Sequence, residues 1–106
     1  MKKSVLLAVA LCLLALAAWA APKDESMTGW ISDSKCAAKG ANAGHAACAQ
    51  KCVEAGEKPV LVTDKDQKVV PIENPAAVSA QLGQHVQVSG KMTASGSLHV
   101  DKVQAQ

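Results

Sequence analysis

Three cysteines and one histidine lie close together in the sequence, and their spacing would let them act as one site. Cys36 precedes His45, Cys48 and Cys52, and the last three occupy positions i, i+3 and i+7. On a helix, at about 100° per residue, these three side chains share one face. Thiolates and an imidazole on one face could hold a thiophilic metal, or two of the cysteines could form a disulfide.

A metal site would use all four residues. Cys36, His45, Cys48 and Cys52 make a Cys₃His set, which zinc accepts as a closed tetrahedral site. Copper(I) also suits thiolate ligands, so copper is the other candidate cofactor. The spacing matches no standard zinc-finger pattern. The residue types therefore predict a zinc or copper site without choosing the metal.

A disulfide would use Cys36. Cβ atoms at i and i+4 on a helix lie about 5–6 Å apart, whereas a disulfide needs about 3.5–4.5 Å. A bond between Cys48 and Cys52 would be strained, so Cys36, outside the helix, is the better partner for either one. If Cys36 pairs with Cys52, the Cys48 thiol remains beside His45, whose imidazolium would favour thiol exchange.

The first twenty residues have the three-part form of a secretory signal peptide. Two lysines follow Met1, residues 4–17 are almost wholly apolar, and Ala18–Ala20 supply the small residues of an A-x-A cleavage site. An uncleaved membrane anchor is the alternative, because the apolar run approaches the lower length limit for a span. The cleavage site and the polar sequence after it favour a periplasmic or secreted protein that leaves the membrane after cleavage.

Cleavage would change the cysteine count. The chain has four cysteines, and Cys12 would leave with the signal peptide, so that three remain in the mature domain. An odd number in an oxidising compartment indicates a free thiol, an intermolecular bond or a metal site.

The charge balance argues against nucleic acid as a partner. Two of the eleven lysines fall in the signal peptide, which leaves nine lysines against nine acidic residues. A nucleic-acid surface needs a basic stripe and aromatic platforms, and the chain has no Arg, Phe or Tyr. The composition leaves a protein partner unspecified.

The hydrophobic pattern predicts a signal peptide over 1–20, a flexible leader over 21–26 and one domain over 27–106. Five strands, with a helix between the third and fourth, match the plan of a five-stranded OB-like barrel. A Cys-bearing helical insertion lies between strands 1 and 2, and a three-layer or open-sheet α+β arrangement is the alternative. The predicted strands cover 27–32, 60–63, 68–72, 85–89 and 98–101, with helices over 45–55 and 75–82.

Other residues that could do chemistry have structural interpretations. Asp33 could be a hard ligand or a general base, but a turn or cap role is favoured. Trp30 is predicted to anchor the core. His85 and His99 are expected on the outward side of adjacent strands, where they could face each other. Because no Ser-His-Asp order, phosphate loop or paired carboxylate motif is present, the sequence favours a protein that is not an enzyme.

The chain resembles a family of small exported bacterial proteins of unknown function. The resemblance is carried by Gly-Trp-Ile-Ser-Asp-Ser-Lys-Cys over 29–36, a Gly/Ala loop over 40–44, and His-x-x-Cys-x-x-x-Cys-Val-x-x-Gly over 45–56. It implies a signal-bearing, OB-like single domain with no established activity. Taken together, the sequence favours a non-catalytic exported domain whose cluster binds zinc or copper or forms a disulfide. A periplasmic thiol-exchange or redox protein is the alternative.

Overall fold

The described residues form one five-stranded antiparallel sheet. The computed structural model describes residues 24–106, and the predicted signal peptide lies outside them. The strand order is β3-β2-β1-β4-β5, so β1 is the central strand. The predicted mainly β fold with short helices is confirmed. The strands are β1 (Glu25–Asp33), β2 (Pro59–Thr63), β3 (Val69–Pro71), β4 (His85–Met92) and β5 (Leu98–Ala105).

Short helices fill the connection between β1 and β2. The predicted Cys-bearing helix is present as α1 (Ala46–Glu54), and Gly56, at φ +107°, ends it as expected of a C-terminal glycine. The predicted loop before α1 instead contains two 3₁₀ helices. None of the helices in the described part of the chain is long and apolar enough to span a membrane. The 3₁₀ helices are Ala37–Gly40, Ala43–His45 and, between β3 and β4, Pro75–Gln81.

An OB-like barrel needs the two edges of this sheet, β3 and β5, to meet. Ile72, just after β3, and Leu98 form a single parallel bridge, and the N–H of Glu73 donates to the carbonyl of Leu98. The Asn74 amide bonds both the N–H and the carbonyl of Val100, and its side chain does not cap the helix that follows. In the described residues, the contact between the two sheet edges therefore includes the Ile72–Leu98 bridge and the hydrogen bonds of the Asn74 side chain.

The core lies on one face of the sheet, beneath the 3₁₀ helix Pro75–Gln81. Trp30 does not belong to it, so its predicted role as core anchor is wrong. Since Ile31 faces the core, Trp30 lies on the opposite face, half-buried, with its ring 4.9 Å from that of His85. The core residues include Ile31, Leu61, Val70, Val78, Leu82, Val86, Val88, Leu98 and Val100.

β5 contains a bulge, which the break in its hydrophobic alternation at Val103 predicts. Ser89 of β4 pairs with Lys102, whereas the next residue, Gly90, pairs with Val100. Asp101 is therefore the extra residue on β5.

Gly83 packs the segment before β4 against the start of α1. Its N–H donates to the carbonyl of Ile31, so this segment lies against β1. A Cβ on Gly83 would lie 2.5 Å from the Cβ of Ala46, closer than van der Waals contact allows. Because Gly83 has no side chain, the segment before β4 can pack against both β1 and the start of α1.

We expect Gly83→Ala to destabilise the protein more than Gly96→Ala. Both glycines have left-handed backbone conformations, at φ +79° and +84°, so each alanine carries a similar backbone penalty of about 1 kcal/mol. Gly96 has open space around it, whereas Gly83 meets Ala46, which adds about 1–3 kcal/mol of overpacking. Urea unfolding measures the difference, and equal losses would show that the contact with Ala46 is unimportant.

Candidate metal centre

Three of the four predicted ligands lie together. One ligand atom from each of Cys36, His45 and Cys48 lies within 4.8 Å of the other two. Cys36 follows the end of β1, His45 is the last residue of a 3₁₀ helix, and Cys48 is in the first turn of α1. The cluster is at the surface: Cys48 is exposed, and Cys36 and His45 are half-buried.

Cys52 lies beside this cluster but outside the group of three. It follows Cys48 by one turn of α1 and is half-buried. Burial, the negative charge of Asp33 and the neighbouring Cys48 thiol raise the pKa of Cys52. Cys52 therefore neighbours the Cys48 thiol without belonging to the group of three.

Asp33, the last residue of β1, organises the cluster from beneath. Its side chain is fully buried, and Oδ1 accepts the backbone N–H groups of Lys35 and Cys36 at 3.0 and 2.9 Å. This is the predicted turn role. The other oxygen, Oδ2, lies 2.8 Å from Nε2 of His45. One carboxylate thus fixes both the backbone at Cys36 and the imidazole of His45.

The charge on Asp33 determines which nitrogen of His45 is free. Burial acts to raise the pKa of Asp33, but the hydrogen bonds from His45 and from two backbone N–H groups outweigh it and hold the pKa below its usual value. An ionised carboxylate only accepts hydrogen bonds, so Nε2 must carry the proton. In the neutral ring Nδ1 then holds the lone pair, as in carboxylate–histidine–metal sites.

Gly40 holds the His45 ring from one side. A Cβ at Gly40 would lie 2.5 Å from Cδ2 and 2.7 Å from Nε2 of the imidazole, and would also overlap Ser32 Oγ. Ser32 is itself buried and donates to the carbonyl of Ala37 at 2.9 Å. The ring therefore packs directly on the backbone of Gly40.

The Cys36 and Cys52 thiols are in an environment that opposes a free thiolate. Burial, the charge of Asp33 and the nearby Cys48 raise the pKa of Cys36. A nucleophilic cysteine requires the opposite shift. A bound cation would reverse the balance, because a coordinating thiol is deprotonated outright. The surroundings therefore suit a metal better than thiolate attack by Cys36.

The distances are compatible with one ion after slight closure. Zinc binds sulfur at about 2.3 Å and nitrogen at about 2.0 Å, so tetrahedral ligand atoms are about 3.5–3.8 Å apart. The three ligand atoms lie within 4.8 Å of one another. Side-chain rotations that move these atoms by about 1 Å would bring them to bonding positions around an ion.

The other two histidines do not face each other, so the possible pairing of His85 with His99 is absent. His99 pairs with Lys91 across β4 and β5, whereas His85 lies opposite Trp30 on β1. Each histidine bonds a different carboxylate: His85 is 2.6 Å from Asp64, and His99 is 3.0 Å from Glu73. They therefore do not form a second paired site.

Sequence reasoning assigned Asp33 a turn role and missed its contact with His45. The two residues are twelve positions apart, and the connecting 3₁₀ helices bring them together. The one available signal was an acidic residue at a strand end, three positions before a candidate cysteine ligand.

Comparison of the chain with known protein families, with curated proteins and with solved structures finds no match. The functional argument therefore depends on the residues of the cluster and their surroundings. The resemblance to exported bacterial proteins stays a prediction.

Proposed function

We propose that the protein is an exported, non-catalytic domain that binds one thiophilic metal ion, zinc or copper(I), through Cys36, His45 and Cys48. Cys52 stands beside these ligands and completes the coordination where four are needed. The contact between buried Asp33 and His45 Nε2 carries the proposal. The signal-peptide pattern supports a periplasmic or secreted location, and the balanced charge supports a function without nucleic acid.

The Asp33–His45 pair favours a metal over a purely structural disulfide. A disulfide staple would need neither an imidazole nor a buried carboxylate that sets its tautomer. A metal-binding histidine usually donates its second ring N–H to a carboxylate or a carbonyl, and such partners raise metal affinity. Two sulfurs within 4.8 Å of the same imidazole supply the soft ligands that zinc and copper(I) prefer.

Metal titration of the reduced protein tests the proposal. We expect one equivalent of zinc or copper(I) to bind, and we expect Cys36→Ser, His45→Ala and Cys48→Ser each to lower the affinity by more than about 100-fold. Cys52→Ser distinguishes the metals: it should weaken tetrahedral zinc, whereas copper(I) bound by three ligands should be little affected. Competition with a chromophoric chelator under anaerobic conditions gives the affinities.

His99→Ala is the matched control for His45→Ala. His99 also contacts a carboxylate, Glu73 at 3.0 Å, but it is exposed and lies on the edge strand β5, which β4 separates from β1. Its replacement should leave the stoichiometry and affinity unchanged. The proposal is overturned if the reduced protein binds neither metal, or if His45→Ala and His99→Ala reduce binding equally.

Thiol exchange is the second candidate, and the exposure of Cys48 beside His45 is the observation in its favour. Reaction of the folded protein with an aromatic disulfide reagent tests it. A thiol that reacts much faster than free cysteine at mildly acidic pH would support exchange. Reaction at the ordinary rate, slowed by added zinc, would support the metal site.

A further inference from the structure

The two sulfurs of the cluster are also well placed to bond to each other. Cys36 and Cys48 are free thiols in the described part of the chain, and their sulfurs lie within 4.8 Å. They belong to different segments, since Cys36 follows β1 and Cys48 is on α1. A bond between them would therefore not have to distort a helical turn, unlike a bond between Cys48 and Cys52.

We propose that metal binding and a Cys36–Cys48 disulfide are mutually exclusive states of this one site, so that the protein binds metal only when the pair is reduced. This inference rests on the proposed metal-binding function. It adds the regulation of the site, because the same two sulfurs would serve as ligands in one state and as a covalent crosslink in the other.

The oxidant required is a disulfide, either a small molecule or a thiol–disulfide oxidoreductase. Its S–S bond breaks as two electrons pass from the two cysteine sulfurs, and a new S–S bond joins Cys36 Sγ to Cys48 Sγ. In the metal-free protein the two thiol protons end on the oxidant's sulfurs. In the metal-bound protein, where the cysteines are thiolates, two protons from solvent do so and the cation leaves unchanged.

Exposure decides the order of the two exchange steps. Cys48 is exposed and Cys36 is half-buried, so the oxidant meets Cys48 first and forms a mixed disulfide there. Cys36 is held near by the hydrogen bond from its backbone N–H to Asp33, and displaces the oxidant. Cys52 is left as the unpaired thiol, which accounts for the odd number of cysteines after Cys12 is removed.

The lysines near the cysteines make the bond easy to locate. Trypsin cleaves after Lys35, Lys39 and Lys51, so the three cysteines fall on three different peptides. After treatment of the purified protein with oxidised glutathione, we expect peptide 36–39 to be linked to peptide 40–51. Zinc affinity should fall by more than about 100-fold, dithiothreitol should restore it, and prior loading with zinc should slow the crosslinking.

Cys52→Ser is the matched control, because it removes a neighbouring thiol and should still form the link between peptides 36–39 and 40–51. A link to the peptide that carries Cys52, or an oxidised protein that binds zinc as tightly as the reduced one, overturns the inference alone. A reduced protein that binds neither zinc nor copper(I) yet still forms the Cys36–Cys48 bond overturns the proposed metal function and the inference together. The two failures are thus distinguishable.

Discussion

Replacing Asp33 with asparagine is expected to lower metal affinity by about 10- to 100-fold. Asparagine can still accept the backbone N–H groups of Lys35 and Cys36 through its carbonyl oxygen. Its amide group, however, presents N–H to Nε2 of His45, so the ring proton must move to Nδ1. The lone pair needed by the metal is then on the wrong nitrogen.

Nitrogen chemical shifts of the His45 ring would report this tautomer change directly. A variant that merely loosened the fold would lower affinity without moving the proton from one ring nitrogen to the other. Asp64→Asn is the matched control, because Asp64 also bonds a histidine, His85 at 2.6 Å, but at an exposed position. If Asp33→Asn and Asp64→Asn have the same effect on affinity, the role assigned to Asp33 is wrong.

The lowered pKa of Asp33 also predicts that part of the protein's stability is lost at acidic pH. Its pKa in the folded protein lies below its usual value, so its interactions stabilise the fold fully above the unfolded value of about 3.9. That stabilisation is lost as the pH falls through the folded pKa. Urea unfolding followed by Trp30 fluorescence should therefore show wild-type stability falling below about pH 4, with a shallower fall in Asp33→Asn. Parallel pH profiles would contradict the assignment.

Gly40→Ala is expected to be nearly as damaging to the site, although Gly40 contributes no ligand. The added methyl would overlap the His45 ring and Ser32 Oγ, and neither can move freely because each is already hydrogen-bonded. Such overpacking destabilises by about 1–3 kcal/mol. If the imidazole yields, it leaves Asp33, and we expect metal affinity to fall at least about 10-fold.

Gly44→Ala is the control for this effect. Gly44 lies in the same connection, and the nearest atom to its added Cβ is the exposed Asn42 side chain at 3.3 Å. We expect that variant to unfold at a similar urea concentration and to bind metal normally. The packing argument fails if the two alanine variants behave alike in urea unfolding and in metal titration.

Much of the fold could be predicted because local patterns and tertiary structure agree. Each predicted strand corresponds to an observed one, since alternating Val and Leu residues such as Val86 and Val88 need a buried face. Strand ends were predicted less well. β1 begins at Glu25, inside the predicted flexible leader, because its first residues pair with β4 through contacts that are distant in sequence.

The site was only partly predictable, for a geometric reason. The helical-face argument placed His45, Cys48 and Cys52 together, but α1 begins at Ala46, and His45 belongs to the preceding 3₁₀ helix. The observed group of three contains Cys36 in place of Cys52. Asp33 could not have been added from spacing alone, because its contact with His45 depends on how the intervening turns fold.

Because Asp33 lies at the end of the central strand, a peptide that contains only the metal ligands would lack it. A peptide spanning residues 36–52 would contain every cysteine and histidine of the cluster, yet it would lack the carboxylate that selects the histidine tautomer. Transplanting that segment onto another scaffold would transfer the ligands but not their preorganisation. The metal binding proposed for this short insertion therefore depends on the sheet as well. Strand β1, which β2 and β4 hold on either side, positions the Asp33 carboxylate against His45.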